Sequence, residues 1–278
     1  MSRRPAWWLN FLKTVWPLTR ISAQATKWPV IGKLLTPFVI PFFSGKNFNV
    51  TYLPVNAVVP GAQSMVLPSR LMEEIIHRSA HRAILKRCTC RDSEHCQTYP
   101  VEDACLLLGE GTKAIDPRIA DHVSVEEALG HLKRMLDLGL IPMIGRVLMD
   151  NYFYGVPNTG KLLTVCFCCP CCCTVLNSAK YFPEKVQDSF VRVKGLEVTA
   201  DPSLCKRCGT CIEACLFLAL TLTPQGIVRD QTLCKGCGRC ASVCPEQAIT
   251  VGLDDLETAM DDVLGRIRQR IDFESARI

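Results

Sequence analysis

The chain has 278 residues, 48% of them hydrophobic, and a formal net charge of +5 at pH 7. This length accommodates one large domain or two to three small ones, and the apolar content is sufficient for a buried core, so composition excludes a largely disordered chain. The 18 cysteines fall in two blocks, residues 88–173 and 205–244, and such clustering indicates metal sites more than a spread of disulfides.

The N-terminal arm, residues 1–66, is basic and aromatic. All four tryptophans lie in the first 28 residues, and residues 1–72 contain eight Lys or Arg and no Asp or Glu; their charge is +8, which leaves −3 for the rest. "WWLNFLKTVWPL" has helical apolar spacing up to Pro17. Tryptophan beside basic residues is typical of a membrane–water interface, and the alternative is an arm that covers its own protein or a partner subunit. Because long apolar runs separate the charges, we expect no nucleic acid partner.

Residues 1–43 also bear on location. "SRR" at residues 2–4 is a weak trace of an export signal, but Asn10, Lys13 and Pro17 interrupt the required apolar region. The apolar stretch over residues 28–43 has 16 residues, fewer than the roughly 20 of a spanning helix. We therefore expect a cytoplasmic protein, with residues 1–43 placing it peripherally on the inner face of the membrane or against a partner subunit.

Residues 67–198 are predicted to form a cysteine-rich module of helices and short strands. A helix is predicted from Ser69, and a second begins at Ser124, which forms a capping box with Glu127. Residues 140–150 and 161–167 are predicted strands. The apolar stripe of the first helix consists of Leu71, Met72, Ile75, Ile76, Ala80, Ala83 and Ile84.

Ten cysteines of this module lie where the predicted elements end, which allows distant thiols to meet around a common metal site. They are Cys88, Cys90, Cys96, Cys105, Cys166, Cys168, Cys169, Cys171, Cys172 and Cys173. Neighbouring residues of an extended chain point to opposite faces. We therefore expect no single site to use all six thiols of "CFCCPCCC".

Two copies of one cysteine string follow. "CKRCGTCIEAC" and "CKGCGRCASVCP" share the pattern C-x2-C-x2-C-x3-C and start 29 residues apart, at Cys205 and Cys234, which indicates an internal duplication. Between them, residues 218–230 are predicted to form a hairpin, broken by Pro224 and Gly226. Three thiols at this spacing can wrap around one iron–sulfur cube, and the fourth ligand must arrive from elsewhere.

Residues 199–253 resemble the bacterial-type ferredoxins, which carry two 4Fe-4S clusters and in which the fourth cysteine of each string ligates the other cluster. The resemblance implies one cluster on Cys205, Cys208, Cys211 and Cys244, and a second on Cys234, Cys237, Cys240 and Cys215. Leu216 follows Cys215 where the second string has proline, a departure that affects the loop but not its ligands. Zinc is the rival metal, but two complete four-cysteine strings favour iron–sulfur clusters.

The order of the upstream cysteines before such a domain also resembles a group of multi-cluster iron–sulfur proteins of anaerobic bacteria and archaea. We expect at least one additional iron–sulfur cluster there, built from Cys88, Cys90 and part of residues 166–173. Structural zinc and reactive or disulfide-forming thiols are the alternatives. A heterodisulfide-reductase-like cluster is disfavoured, because Pro170 and Thr174 stand where that motif has glycine.

The expected fold is α+β: a ferredoxin-type two-cluster domain (199–253) preceded by the helical, short-strand cysteine-rich module (67–198) and followed by a C-terminal amphipathic helix (254–278) packed on its own protein. No P-loop, dinucleotide glycine fingerprint or nucleophile elbow is present, so we assign no catalytic residue. The expected function is the relay of low-potential electrons between redox partner proteins. The alternatives are a reductase with a substrate-reducing upstream cluster and a cluster- or zinc-based redox sensor.

Overall fold

The computed structural model describes residues 4–5, 7–30, 32–34, 37, 43, 45–58, 66–179, 181–182 and 184–274. Helices and strands are mixed along the chain, in agreement with the expected α+β class. The helices are α1 (Trp7–Val15), α2 (Pro17–Ala25), α3 (Val66–Arg78), α4 (Thr89–Ser93), α5 (Val125–Asp137), α6 (Leu148–Tyr154), α7 (Thr174–Ala179), α8 (Glu184–Gln187), α9 (Thr210–Ala214), α10 (Arg239–Ser242) and α11 (Leu256–Arg268). The strands are β1 (Phe48–Tyr52), β2 (Ala57–Val58), β3 (Arg82–Leu85), β4 (Leu106–Leu108), β5 (Ala120–His122), β6 (Ile141–Val147), β7 (Leu163–Cys168), β8 (Leu196–Ala200), β9 (Leu220–Thr223), β10 (Gly226–Arg229) and β11 (Ile249–Leu253).

A six-stranded sheet, in the order β1-β6-β7-β4-β3-β5, carries the cysteine-rich module. All neighbouring strands in it are antiparallel. The two predicted strands, now β6 and β7, lie next to each other within the sheet. The first ends at Val147 instead of residue 150, because the paired strand β1 begins opposite it at Phe48 and the chain then turns into α6.

Helix α3 differs from its prediction at both ends. It begins at Val66 and ends at Arg78, and Ala83 and Ile84 belong to β3, not to the helical stripe. The N–H of Ala80 donates to the carbonyl of Phe273 at 2.8 Å. A long-range contact with the C-terminal segment thus ends the helix where local apolar spacing would continue it.

The capped helix is present as α5, and the helix near the C-terminus spans Leu256–Arg268 within the range 254–278 assigned from sequence. Ser124 and Glu127 form both hydrogen bonds of the capping box at the start of α5. Helix α11 buries Met260 and Val263 against the protein's own core. Arg266 on the same helix donates to Thr51 Oγ1 at 2.7 Å, which fixes α11 against the edge strand β1.

The predicted hairpin over residues 218–230 is present as β9 and β10, which pair antiparallel. Strand β8 pairs antiparallel with β11, and β2 adds to β11 in parallel. Strands β1 and β2 both lie within residues 1–66, the range assigned to the arm from sequence. The six-stranded sheet, through β1, and the three-stranded sheet β2-β11-β8, through β2, therefore extend into that range. The proposed domain limits stay predictions.

Helices α1 and α2 of the arm pack against the cysteine-rich module of the same chain. The indole of Trp8 donates to the Phe153 carbonyl at 2.7 Å, and Lys13 pairs with Asp92 at 2.7 Å. Within the described part of the chain, no helix has the length and apolar character needed to cross a membrane. Residues 31, 35–36 and 38–42 of the apolar stretch lie outside the described residues.

Candidate metal centres

Two cavities of the ferredoxin-like region are lined by cysteines. One contains Cys205, Cys208, Cys211 and Cys244. The other contains Cys215, Cys234, Cys237 and Cys240. Each set takes three thiols from one string and the fourth from the other string, and these are the sets that the resemblance to ferredoxins implies.

The two cavities share local backbone geometry, as expected for a duplicated unit. The N–H of Ala219 donates to Cys215 Sγ at 3.3 Å, and the N–H of Ala248 donates to Cys244 Sγ at 3.3 Å. Hydrogen bonds to sulfur stabilise the negative charge of a ligating thiolate and tune a bound cluster. In Gly238, φ is 75° and an added Cβ would lie 2.3 Å from Asn56 Oδ1, so this loop requires glycine.

Two free thiols of the second cavity, Cys237 and Cys240, are protonated at neutral pH. Burial raises the pKa of Cys237 to about 11 and that of Cys240 to about 12. Binding of a metal or cluster must therefore displace protons from both thiols, as is usual for cysteine ligands.

Four of the ten upstream cysteines form a group that we call the surface thiol group: Cys96, Cys169, Cys171 and Cys172. Their sulfur atoms all lie within 4.8 Å of one another. Partial burial raises the pKa of Cys96, but backbone hydrogen bonds from Tyr99 and Thr98 outweigh it, and the pKa falls to about 7. The group offers a complete four-thiol donor set for one metal centre.

The other six upstream cysteines form the buried thiol group: Cys88, Cys90, Cys105, Cys166, Cys168 and Cys173. Cys105 and Cys166 lie next to each other across strands β4 and β7, with their sulfurs 3.3 Å apart, and Cys168 lies 3.3 Å from Cys173. Hydrogen bonds with Cys173 and, to a smaller extent, with Cys88 lower the pKa of Cys90 well below the usual value.

The dense cysteine run is thus divided between two groups of thiols. Cys166 and Cys168 point to one face of β7 and belong to the buried thiol group. Cys169 and the turn after it supply three members of the surface thiol group, and Cys173 returns to the buried group. The sequence did not indicate that Cys96 and Cys105 would join different groups.

A family described as a 4Fe-4S binding domain matches residues 227–250, the part of the chain that holds the second cysteine string. No curated protein matches the chain. The thiols that line the cavity fit the family's cofactor, since soft thiolate ligands in fours suit iron–sulfur clusters. The chain therefore binds at least one iron–sulfur cluster.

Arg91 is a functional candidate that the sequence analysis missed, although it stands in the string "CTCR". Its side chain is buried and donates to the carbonyls of Pro100 and Phe167, each at 2.8 Å. Burial lowers the pKa of Arg91, but nearby Cys88 and a hydrogen bond to Cys169 raise it overall. Its positive charge therefore lies between the buried and surface thiol groups, where it can offset the negative charge of ligating thiolates.

Tyr52 is a second missed candidate, and no local sequence signal marks it. The residue is 1% exposed, and its hydroxyl has no hydrogen-bond partner among the described residues. Burial raises its pKa well above the usual value, and Cys168, Cys173 and Cys237 raise it further. Tyr52 therefore lies between the buried thiol group and the second ferredoxin-like cavity.

Proposed function

We propose that this chain relays low-potential electrons between redox partner proteins through two ferredoxin-type 4Fe-4S clusters and further clusters upstream. The observation that carries the proposal is the exchange of the fourth cysteine between the two cavities. That exchange builds both ligand sets from one compact unit and brings the two clusters close together. Clusters of this type pass one electron at a time.

The upstream part of the proposal rests on the two thiol groups. The surface thiol group is a closed set of four thiols, so we assign it one 4Fe-4S cluster. The buried thiol group has six thiols, enough for a second upstream cluster with two thiols in reserve. Zinc in the surface thiol group is the alternative that metal analysis distinguishes.

The direction of electron flow follows from exposure. Cys208 is exposed, and exposed Lys206 and Arg207 also line the first cavity. We propose that a redox partner docks there. Tyr52 lies next to Cys237 and the buried thiol group, so electrons pass from the cluster of the first cavity to that of the second and on towards the buried thiol group.

We also propose that the outer side of the arm touches a membrane surface. Trp7, Phe11, Leu18 and Ile21 are all about half exposed or more, although α1 and α2 are packed on the module. Exposed aromatic and aliphatic side chains next to basic residues suit an interfacial site on anionic lipid. A contact between this side of the arm and a protein partner is the alternative to the membrane contact.

Metal analysis of anaerobically purified full-length protein tests the proposed function. We expect about sixteen irons and sixteen sulfides per chain, at four of each per 4Fe-4S cluster, and electron paramagnetic resonance signals of reduced 4Fe-4S clusters. The Cys208→Ser variant should lose one cluster, whereas Ser203→Ala in the same loop should lose none. Folded protein without iron would overturn the whole proposal, and about eight irons would overturn its upstream part.

A further inference from the structure

A cavity of about 340 Å³ lies between the N-terminal arm, α7 and the buried thiol group. Cys88, Cys90, Cys105 and Cys166 contribute to its lining. Most of the other side chains that line it come from helices α2, α6 and α7 and from strands β1 and β6. The cavity therefore borders the buried thiol group, and its volume is larger than one aromatic ring needs.

The lining is mainly apolar and aromatic. Trp16, Phe48, Phe153 and Phe182 contribute to it. Among the described residues that line the cavity there is no Lys, Arg or His. An anionic ligand would find no counter-charge there and would meet the Asp150 carboxyl group, so the cavity selects against phosphates and carboxylates and for a neutral molecule.

One polar side chain in the wall of the cavity, Ser178, can donate a hydrogen bond to an oxygen acceptor of a ligand. Ser178 is 3% exposed and its hydroxyl has no hydrogen-bond partner among the described residues. A buried hydroxyl without a partner costs free energy that a ligand carbonyl would recover. Asp150 accepts a hydrogen bond from Thr164 at 2.7 Å through one carboxyl oxygen, which leaves the other oxygen for a ligand or a proton.

We propose that this cavity binds a neutral, two-ring aromatic carbonyl compound of the quinone class beside the buried thiol group. The reaction rests on the proposed function, because the clusters supply its electrons. Two bound, reduced clusters would each supply one electron to the quinone and become oxidised, and two protons from water would form the two O–H bonds of the hydroquinone. A low-potential one-electron donor then reduces the clusters again.

Binding is tested with 2,3-dimethyl-1,4-naphthoquinone, whose substituted ring carbons prevent addition of cysteine thiols. Isothermal titration calorimetry of the reconstituted, oxidised full chain should show one site per chain. Val175→Trp, which fills the cavity, should weaken binding at least tenfold. Ser178→Ala, which removes one hydrogen bond without adding volume, should weaken it about fivefold. Leu222→Trp, on the exposed hairpin away from the cavity, should leave binding unchanged.

The source of the ligand is resolved in a second arm of the experiment, with a naphthoquinone that bears an isoprenoid tail in phosphatidylcholine vesicles. Tighter binding of the tailed compound assigns the ligand to the lipid phase, and tighter binding of the free compound assigns it to water; both support the site. Three results would overturn the site: no binding to the unmodified chain, binding by Val175→Trp and Ser178→Ala as tight as that of the unmodified chain, or binding only to the cluster-free chain. The last result would show that the cavity is space for the cluster itself. The iron and sulfide contents of the chain do not depend on the outcome of the binding experiment. They therefore test the electron-relay proposal separately.

Discussion

The indole N–H of Trp16 donates a hydrogen bond of 2.8 Å to Thr174 Oγ1. Trp16 lies between the two helices of the arm, and Thr174 begins α7 directly after the last cysteine of the dense run. The Trp16 ring also packs on Phe153, with centroids 5.1 Å apart. The arm is therefore part of the wall around the buried thiol group. Substitutions in the arm, in the thiol groups and in their buried neighbours should each change a different measurable property of the protein.

Replacing Arg91 with Met should destabilise the protein by about 3–5 kcal/mol, because it leaves buried carbonyls without donors and removes the charge that faces the thiols. Urea unfolding of the anaerobically purified protein, followed by circular dichroism, measures the change. Lys133→Met is the matched control. Its side chain is 77% exposed and pairs only with Asp137 on the same helix, so we expect a loss under about 0.5 kcal/mol. An equal effect of both variants would contradict the role of Arg91.

The Tyr52→Phe variant should affect the loaded and the cluster-free protein differently. Without clusters the hydroxyl has no partner, so its removal should leave stability unchanged or raise it by about 1 kcal/mol. With clusters bound, loss of a hydrogen bond to sulfur should lower a reduction potential by about 50 mV. Potentiometric titration with paramagnetic resonance detection measures this. Tyr152→Phe, at a half-exposed tyrosine, should shift no potential, and an unchanged potential in Tyr52→Phe would refute the contact.

Combined replacement of Cys96, Cys171 and Cys172 by Ser should remove one cluster and spare the others. The surface thiol group shares no member with the two ferredoxin-like cavities. We therefore expect about four fewer irons per chain than in the unmodified protein, with the ferredoxin-type signals retained. Loss of one zinc ion instead of four irons would identify the group as a zinc site.

Asp150 should make the stability of the reduced, cluster-free chain dependent on pH. Burial raises the pKa of its carboxyl from 3.8 to about 7, and Cys90 and Tyr154 face it. The folded state therefore holds the proton more tightly than the unfolded state. The resulting stabilisation is complete below about pH 4 and is lost as pH rises towards 7. Its size is at most about 4 kcal/mol.

The Asp150→Asn variant isolates this contribution, since asparagine is neutral and can still accept the hydrogen bond from Thr164. Urea unfolding between pH 4 and 8 should show the two proteins converging at the acidic end, with Asp150→Asn more stable at pH 8. A constant difference in stability across the range would show that the carboxyl does not titrate there.

The arm should bind anionic lipid through its exposed apolar side chains. The double variant Trp7→Ser and Leu18→Ser should reduce cosedimentation with phosphatidylglycerol vesicles at least tenfold, because two large side chains no longer enter the interface. Leu222→Ser, at an exposed leucine outside the arm, is the control. Unmodified protein that fails to sediment with the vesicles would favour a protein partner for this surface.

The sequence by itself determined the features that depend on local spacing. The two cysteine strings, the capping box at Ser124 and the hairpin between the strings all follow from residues close in the chain, where geometry is set by short-range hydrogen bonds and backbone preference. Alternation along the strand accounts for Cys166 and Cys168 on one face of β7, whereas the turn after Cys168 decides where the other four cysteines of "CFCCPCCC" lie.

Only the tertiary structure decided which distant thiols meet. Cys105 faces Cys166 because β4 pairs with β7, and Cys96 reaches Cys171 because the chain after α4 folds over the dense run. Strand register and long-range packing are set by the burial of a whole sheet, which no short window of sequence contains. The same reason explains why Tyr52 stands beside the thiols without a signal in its own neighbourhood, and why the string "CTCR" did not by itself show that Arg91 is buried between the two thiol groups.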